Sequence, residues 1–213
     1  MTLVVILTKN YELHYFDCCC GCGCDGGDVD GETESERWIY FRMAFGHQKL
    51  IYFKVMFNHA PKDYVCPICL AIQGIESDQT MAKQADIVYR DEYALVYVNS
   101  KFVGNNPGHV IVVPTAHFEN LYELPPEYAH RIIEVSQKMA LALKTVRECD
   151  GVWIEQNNEP ASGQHAFHYH MHVIPRFEND DLKKELVAGN VRVADPAERL
   201  PYAEALRAYL AAQ

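Results

Sequence analysis

The chain has 213 residues, 49% of them hydrophobic, and carries a formal net charge of −10. This composition is sufficient for a packed core, whereas the acidic balance argues against a nucleic-acid-binding surface, which is normally basic. No apolar run approaches the roughly 20 residues of a membrane span, and the stretch Leu3 to Leu7 is shorter than the roughly 7–15-residue core of a secretory signal. We therefore expect a cytoplasmic protein that binds neither nucleic acids nor membranes.

The N-terminal segment, residues 1–55, differs in composition from the rest. The range Asp17 to Glu36 contains seven acidic residues, no basic one, and the cysteine run from Cys18 to Cys24. A segment of this kind cannot bury enough apolar surface to fold alone. We therefore predict a poorly ordered or atypical extension and hypothesise that Met56 is the natural first residue. A metal-binding role for the cysteine run stays open, although its spacing matches no familiar metal site.

From Asp63 onward the sequence is typical of an ordered α+β domain. Short runs rich in β-branched and aromatic residues, bounded by turn residues, predict five strands. These strands are Ile87 to Tyr89, Tyr93 to Val98, Val110 to Val113, Val152 to Gln156 and His168 to Ile174. Five strands joined by tight turns, with one long crossover helix, favour a mainly antiparallel sheet over a doubly wound parallel one.

Two helices are predicted in the same part of the chain. The crossover helix begins at Pro125-Pro126-Glu127, because proline and an acidic residue are favoured in a first turn, and continues at helical spacing to Val146. A second, amphipathic helix is expected from Pro201 to Ala212. We accordingly divide the chain into the extension, a domain over residues 56–178 and a C-terminal tail with a helix over residues 179–213.

Cys66 and Cys69 have the spacing of half a tetrahedral metal site. In a cytoplasmic protein, a Cys-x-x-Cys pair is more typical of a metal site or a redox site than of a structural disulfide. The spacing by itself leaves both interpretations open.

Three histidines, His168, His170 and His172, alternate with apolar residues. Residues two apart in a strand point to the same face, about 6.6 Å from each other. Such a row can serve one elongated anionic ligand, or a metal and an adjacent reaction centre. The structural alternative is a set of core histidines, each of which would need its own hydrogen-bond partner.

Taken in order, these motifs resemble the signature of the histidine-triad (HIT) superfamily. The resemblance depends on the segment His168-Tyr169-His170-Met171-His172-Val173-Ile174, on the loop Asn157 to Gln164 before it, and on Pro107 to Pro114 upstream. It implies a HIT-like α+β fold and a homodimer formed by joining two sheets edge to edge. It also implies a hydrolase that cleaves at the α-phosphate of nucleoside phosphoramidates or dinucleoside polyphosphates.

The resemblance assigns roles to the motif residues. His170 would be the nucleophile that forms a nucleotidyl-histidine intermediate, a task that suits an imidazole largely unprotonated near neutral pH. His172, Gln164 and Asn157 would donate hydrogen bonds to phosphate oxygens, and Gly163 would let the backbone approach them. The implied catalytic residues are His170, His172, Gln164 and His168. The implied substrate-binding residues are Asn99, His109, Asn157, Gly163, Gln164, His165 and His172.

The chain is similar to the zinc-containing, prokaryotic-type branch of this superfamily. In that branch two histidines complete the site begun by the cysteine pair. The matching positions are His117 and His168, which implies a Cys2His2 site of Cys66, Cys69, His117 and His168. Such a site has no open coordination position, so the zinc would be structural.

Three positions depart from common family patterns. Asn99 stands where many members have an aspartate that holds the ribose hydroxyls, and an amide can still accept from one hydroxyl and donate to another. His165 stands where phosphoramidase members have a serine thought to assist the leaving group; an imidazole there either acts as an acid or faces solvent. His172, rather than the glutamine of the nucleotidyltransferase branch, favours water as the acceptor.

Two alternatives from other classes stay open. The three histidines could bind a catalytic metal, which would make the protein a metal-dependent hydrolase. Alternatively, the scaffold could serve as a nucleotide-binding or partner-binding module without turnover.

Overall fold

In a computed structural model of the protein, residues 57–213 are described in full, and before them the backbone of four strands is described. The chain forms two compact units, Met1–Glu36 and Arg37–Gln213, which are treated separately. The cysteine run from Cys18 to Cys24 and Met56 lie outside the described residues, so the predictions made for them stay predictions. The same holds for the predicted domain boundaries.

The four early strands form two antiparallel hairpins. Leu3–Leu7 (β1) pairs with Leu13–Asp17 (β2), and Ile39–Phe45 (β3) pairs with Gln48–Val55 (β4). Neither hairpin was predicted, because the sequence there lacks a clear period and pairing between strands is not visible in a single run of residues.

A five-stranded antiparallel sheet forms the centre of the second unit, as predicted. Its strands are Ile87–Arg90 (β5), Ala94–Val98 (β6), Val110–Pro114 (β8), Gly151–Glu155 (β9) and Met171–Arg176 (β10). They lie in the order β5-β6-β8-β10-β9, and every neighbouring pair is antiparallel. Strand β9 is therefore an edge strand. A separate two-stranded ribbon joins Lys101–Val103 (β7) to Val191–Val193 (β11).

The long helix Pro126–Arg147 (α2) covers one face of this sheet. Its buried apolar side chains pack against the sheet residues Val96, Val112 and Val173. The helix side chains are Ile132, Val135, Met139 and Leu143. Burying a side chain of this size contributes about 1.5–3 kcal/mol, so this single face accounts for much of the attachment of α2.

The opposite face of the same strands carries different chemistry. Because side chains alternate along a strand, Tyr97 and Ile111 point away from α2 and pack with Ile68 of the short helix Pro67–Ile72 (α1). His172 is the register partner of Ile111 and therefore shares this face. The sequence pattern thus places the apolar core on one side and the histidines on the other.

The predicted histidine strand begins later than expected, at Met171 rather than at His168. Strand β8 ends at Pro114, which has no N–H to donate to a longer ladder. The chain bends at Ala166–His168, and Tyr169 N donates instead to Phe118 O at 2.5 Å. This bend turns His168 away from the row formed by the other two histidines.

The C-terminal tail packs back onto the domain. It contains Leu182–Val187 (α3), β11 and Pro196–Ala211 (α4). Helix α4 begins five residues earlier than predicted, because Asp195 and Glu198 form a capping box. In the described part of the chain, no helix is long and apolar enough to cross a bilayer.

Candidate active site and metal centre

Cys66, Cys69, His117 and His168 each place one ligand atom within 4.8 Å of all the others. Cys66 Sγ lies 3.4 Å from His168 Nδ1, and Cys69 Sγ lies 3.2 Å from His117 Nδ1 and 3.5 Å from His168 Nδ1. Tetrahedral zinc with Zn–S near 2.3 Å and Zn–N near 2.0 Å requires ligand separations of about 3.3–3.8 Å. The four predicted residues therefore fit a zinc ion.

Local structure explains why these ligands converge. Cys66 is the N-cap of α1, and Cys69 is one turn along, so both thiols lie on one side of the helix. His168 is completely buried, and its Nε2 donates to Pro114 O at 3.1 Å. Since a carbonyl can only accept, this bond places the proton on Nε2 and leaves the Nδ1 lone pair facing the sulfurs.

The electrostatics of the cysteine pair also suit a cation. A hydrogen bond with Cys69, aided by His117 and His168, lowers the pKa of Cys66 well below its ordinary value despite burial. The same bond with Cys66, together with burial, raises the pKa of Cys69. One thiolate is thus favoured by the protein alone, and the second requires the positive charge of a metal.

His170 has a different arrangement of its two nitrogens. Its Nδ1 donates to His168 O at 2.7 Å, so the proton is on Nδ1 and Nε2 carries a lone pair. Burial lowers the pKa of His170 below its ordinary value. His170 lines a cavity, and its imidazole is therefore a neutral base or nucleophile at physiological pH.

A second group of polar side chains connects His172 with β8 and β6. Asn99 Nδ2 donates to His109 Nε2 at 2.5 Å, and His172 Nδ1 lies 3.3 Å from the same nitrogen. Burial lowers the pKa of His109 to about 4, and burial together with His109 and His170 lowers the pKa of His172. These histidines are consequently uncharged near neutral pH.

Arg176 on β10 does not give this site a free positive charge. The histidines are neutral, and Arg176 Nε and Nη2 both donate to the Asp180 carboxylate at 2.7 Å. The groups available to an anion are therefore neutral N–H donors and Lys101, the lysine on the cavity wall.

Gln164 differs from its predicted role. Its Nε2 donates to Glu119 O at 2.6 Å and to Ala166 O at 3.1 Å, while its Oε1 accepts from Glu159 N at 2.6 Å. Both N–H groups of the amide are used, and the side chain is buried. Gln164 therefore holds the loop in shape, and in this structure neither of its N–H groups is free to donate to a phosphate. In that loop Gly163 has a φ of +95°, which favours glycine.

One cavity of about 680 Å³ collects most of the predicted substrate-binding residues. They are Asn99, His109, Asn157, Gly163, His165 and His172, and the predicted nucleophile His170 lines the same cavity. His168 and Gln164 do not line it. The residues that line the cavity can contact a ligand, whereas His168 and Gln164 lie behind them and support them.

The same cavity contains residues that the sequence reasoning missed. An apolar part is formed by Ile68, Ala71, Tyr97 and Ile111, and the C-terminal tail adds Leu182, Leu186 and Val191. Glu155 and Lys101 supply charge. Strand alternation could have predicted that Tyr97 and Ile111 face the cavity. Glu155 faces it because it is paired with His172, and this pairing is visible only in the structure.

A catalytic metal bound by all three histidines is not supported by this geometry. His168 points one nitrogen at the cysteines and the other at Pro114 O, whereas His170 and His172 face the cavity. Among residues 57–213, the one group able to hold a metal is the Cys66, Cys69, His117 and His168 cluster.

Comparisons with known proteins agree with this description. The HIT domain family model matches residues 80–179. Protein hit of Bacillus subtilis is 36% identical over 113 residues, which cover 53% of this chain and 74% of that protein. Adenylylsulfatase HINT3 of Arabidopsis thaliana is 30% identical over 45% of this chain and 47% of its own length. A Zn-bound histidine triad family protein from Mycobacterium smegmatis is 29% identical with a TM-score of 0.55, covering 69% of this chain and 94% of that one. The chain therefore belongs to the HIT family.

Proposed function

We propose that this protein is a nucleotide hydrolase that cleaves at the α-phosphate of nucleoside phosphoramidates or dinucleoside polyphosphates. The observation that carries the proposal is the 2.7 Å hydrogen bond from His170 Nδ1 to His168 O. It leaves Nε2 as an unprotonated nucleophile at the wall of a cavity large enough for a nucleotide. The Arabidopsis relative named an adenylylsulfatase supports chemistry at the same phosphorus.

The reaction has two balanced steps. In the first, His170 Nε2 forms a bond to the α-phosphorus, and the bond from phosphorus to the leaving group breaks. A leaving amine takes one proton from water or from His165. In the second, water attacks the phosphorus, the bond to Nε2 breaks, and the nucleoside monophosphate leaves as the proton passes to solvent. Nδ1–H stays on the His168 carbonyl throughout, which stabilises the positive charge of the nucleotidylated ring.

Neutral donors would stabilise the phosphate oxygens. A neutral His172 that carries its proton on Nε2 would donate to a phosphate oxygen, because its Nδ1 is the nitrogen that lies 3.3 Å from His109 Nε2. Asn157, whose amide has one N–H besides the one that Glu155 accepts, also lines the cavity. Gly163 lines it too, and without a side chain it would let a phosphate approach the backbone. Asn99 would contact the ribose with the part of its amide that His109 does not use.

Zinc is proposed as a structural ion, which assigns the chain to the zinc-containing branch. Cys66, Cys69, His117 and His168 would hold it, with His168 linking it to the catalytic segment. When bound, the ion supplies no open position and no redox chemistry; it fixes α1 to the segment before β10. The zinc-bound mycobacterial relative supports the assignment. A cytoplasmic location is part of the proposal, because reducing conditions keep ligand thiols free.

A homodimer is proposed through the edge strand β9. This strand has an unpaired side, and Ile154 on it is 48% exposed. Leu141 on the neighbouring helix α2 is 59% exposed. A second copy would cover these side chains and the strand edge. Light scattering should give a dimer mass that Ile154→Lys reduces to a monomer; a monomeric wild type would refute this part.

The test of the function is to trap the intermediate. The protein is mixed with adenosine 5′-phosphoramidate labelled at the α-phosphate, quenched in base and examined by intact mass. We expect a nucleotidyl adduct on wild type and none on His170→Ala or His170→Gly. His130→Ala is the matched control, because His130 is an exposed histidine on α2 outside the cavity. Binding without an adduct in wild type would instead indicate a non-catalytic module.

A further inference from the structure

The charges on the cavity wall are unusual for a site that is to bind a polyphosphate. Its charged residues are Asp78, Lys101 and Glu155. Two carboxylates and one ammonium do not offset the charges of a leaving group that itself carries several phosphates. The charges of the cavity wall therefore decide which leaving groups it can bind.

Register places Glu155 next to the reaction centre. Glu155 on β9 is paired directly with His172 on β10, and His172 is paired with Ile111 on β8. Paired residues of antiparallel strands share a face and have Cα atoms about 4.5–5.5 Å apart. Ile111 is in turn paired with Tyr97. One row across the sheet thus reads Tyr97, Ile111, His172 and Glu155.

The two ends of this row differ in character. Tyr97 and Ile111 lie under α1 in the apolar cluster that includes Ile68, which suits a nucleobase. Beyond His172, on the side away from α1, the next strand carries Glu155. A nucleotide with its base in the apolar half and its phosphate at His170 and His172 therefore has its leaving group on the Glu155 side.

The Glu155 carboxylate is available to a ligand. Its Oε1 accepts from Asn157 Nδ2 at 2.9 Å, and no lysine or arginine in the fully described part of the chain forms an ion pair with it. Lys101, the lysine on the cavity wall, lies on β7 and is not among the ion-pair partners of this carboxylate. The carboxylate is half-buried, so water screens it less than a surface charge.

We propose that Glu155 forms a leaving-group subsite that selects nucleoside phosphoramidates whose amine carries an ammonium group and disfavours polyphosphate leaving groups. This inference rests on the proposed function and narrows its substrate class. An ammonium close to the carboxylate gains Coulomb energy, whereas each additional phosphate is repelled. In this proposal Glu155 determines specificity by contacting the leaving group, and it takes no part in making or breaking bonds.

The test compares three adenosine 5′-phosphate substrates. The first two are the phosphoramidates of 1,3-diaminopropane, which is cationic, and of butylamine, which is neutral and of similar length; the third is diadenosine tetraphosphate. We expect wild type to favour the cationic over the neutral amide in kcat/KM by about fivefold, a ratio typical of one partly screened ion pair. Glu155→Gln should remove this preference and raise kcat/KM for the tetraphosphate about threefold to tenfold.

Glu204→Gln is the matched control, because it removes the same charge from an exposed position on α4 outside the cavity. It should leave the wild-type preference unchanged. If Glu155→Gln retains the wild-type preference, or if both variants alter it equally, the inference is overturned.

A binding measurement separates this inference from the proposed function. The variant His170→Asn has an amide N–H in place of Nδ1–H but no nucleophilic nitrogen, so it should bind the three substrates without cleaving them. Their affinities are measured in this variant with and without the second substitution Glu155→Gln. A charge preference that depends on Glu155 supports the subsite even if wild type cleaves none of the substrates. Equal affinities in the two backgrounds overturn it even if wild type forms the adduct.

Discussion

His168 and His170 are two residues apart, yet both ring nitrogens of His168 have partners within the protein, whereas His170 has a partner for one nitrogen. His168 is completely buried, with one nitrogen toward the cysteines and the other toward Pro114 O. His170 uses one nitrogen on a carbonyl and keeps the other at the cavity. The same side chain is thus suited to the proposed role of metal ligand at His168 and of nucleophile at His170, according to what its second nitrogen contacts. Substitutions at the two positions should therefore affect different observables.

The largest expected effect is on turnover at His170. His170→Asn should lower kcat by about 10⁴-fold or more, because the nucleophile is lost while the bond to the His168 carbonyl can be retained. Zinc content and the unfolding midpoint should change little. Steady-state kinetics, elemental analysis and thermal unfolding check the three quantities. Residual turnover within tenfold of wild type would show that another group attacks the phosphorus.

The next effect concerns the metal centre. Cys66→Ser or His168→Ala should lose bound zinc and lower the free energy of unfolding by about 3–5 kcal/mol, because metal binding and folding are coupled. A chelator should lower the midpoint of wild type in the same way. Elemental analysis and denaturant unfolding provide the measurements. Variants that lose zinc with an unchanged midpoint would contradict a structural role.

Gln164 sharpens the distinction between supporting and contacting residues. Gln164→Ala removes three hydrogen bonds that hold the loop, so the free energy of unfolding should fall by about 1–3 kcal/mol together with activity. Urea unfolding and kcat are measured on the same samples. If activity falls while stability stays at the wild-type value, the amide touches the substrate after all and our correction is wrong.

The smallest expected effect lies at the far end of β10. The Arg176 side chain lowers the pKa of Asp180 to about 2, with help from backbone N–H groups. Because the folded-state pKa lies below the ordinary value, the carboxylate stabilises the fold above about pH 4, and this contribution, at most about 2 kcal/mol, is lost as the pH falls toward 2. Urea unfolding between pH 7 and pH 2 should show it. Asp180→Asn should flatten this part of the curve; an unchanged slope would assign the acid sensitivity to other groups.

Several parts of the fold were accessible from local patterns. The five strands of the sheet and α2 were predicted because each has a period and a boundary signal that does not depend on distant residues. The start of α4 was misplaced because the capping box at Asp195 and Glu198 was overlooked in favour of Pro201, which lies inside the helix. The ribbon of β7 and β11 was missed because each strand has three residues and depends on its partner.

The buried ion pair between Asp86 and Arg199 is another feature that pattern reasoning did not reach. Arg199 Nε donates to Asp86 Oδ1 at 3.1 Å, and both side chains are almost completely buried. The residues are distant in sequence, so no local period relates them. They attach α4 to the beginning of β5, and burial raises the pKa of Asp86 despite the arginine.

The sequence by itself determined the residue types and spacings that this chemistry requires. Two cysteines one helical turn apart, three alternating histidines and a glycine-containing loop indicated the family, and the resemblance implied the four cysteine and histidine residues that the structure brings together. The tertiary structure decided which nitrogen of His168 and of His170 carries a proton, because this depends on the carbonyls of Pro114 and His168 that face these rings. It also decided that Gln164 supports the loop and that Glu155 faces the cavity, since both depend on contacts between segments distant in the chain.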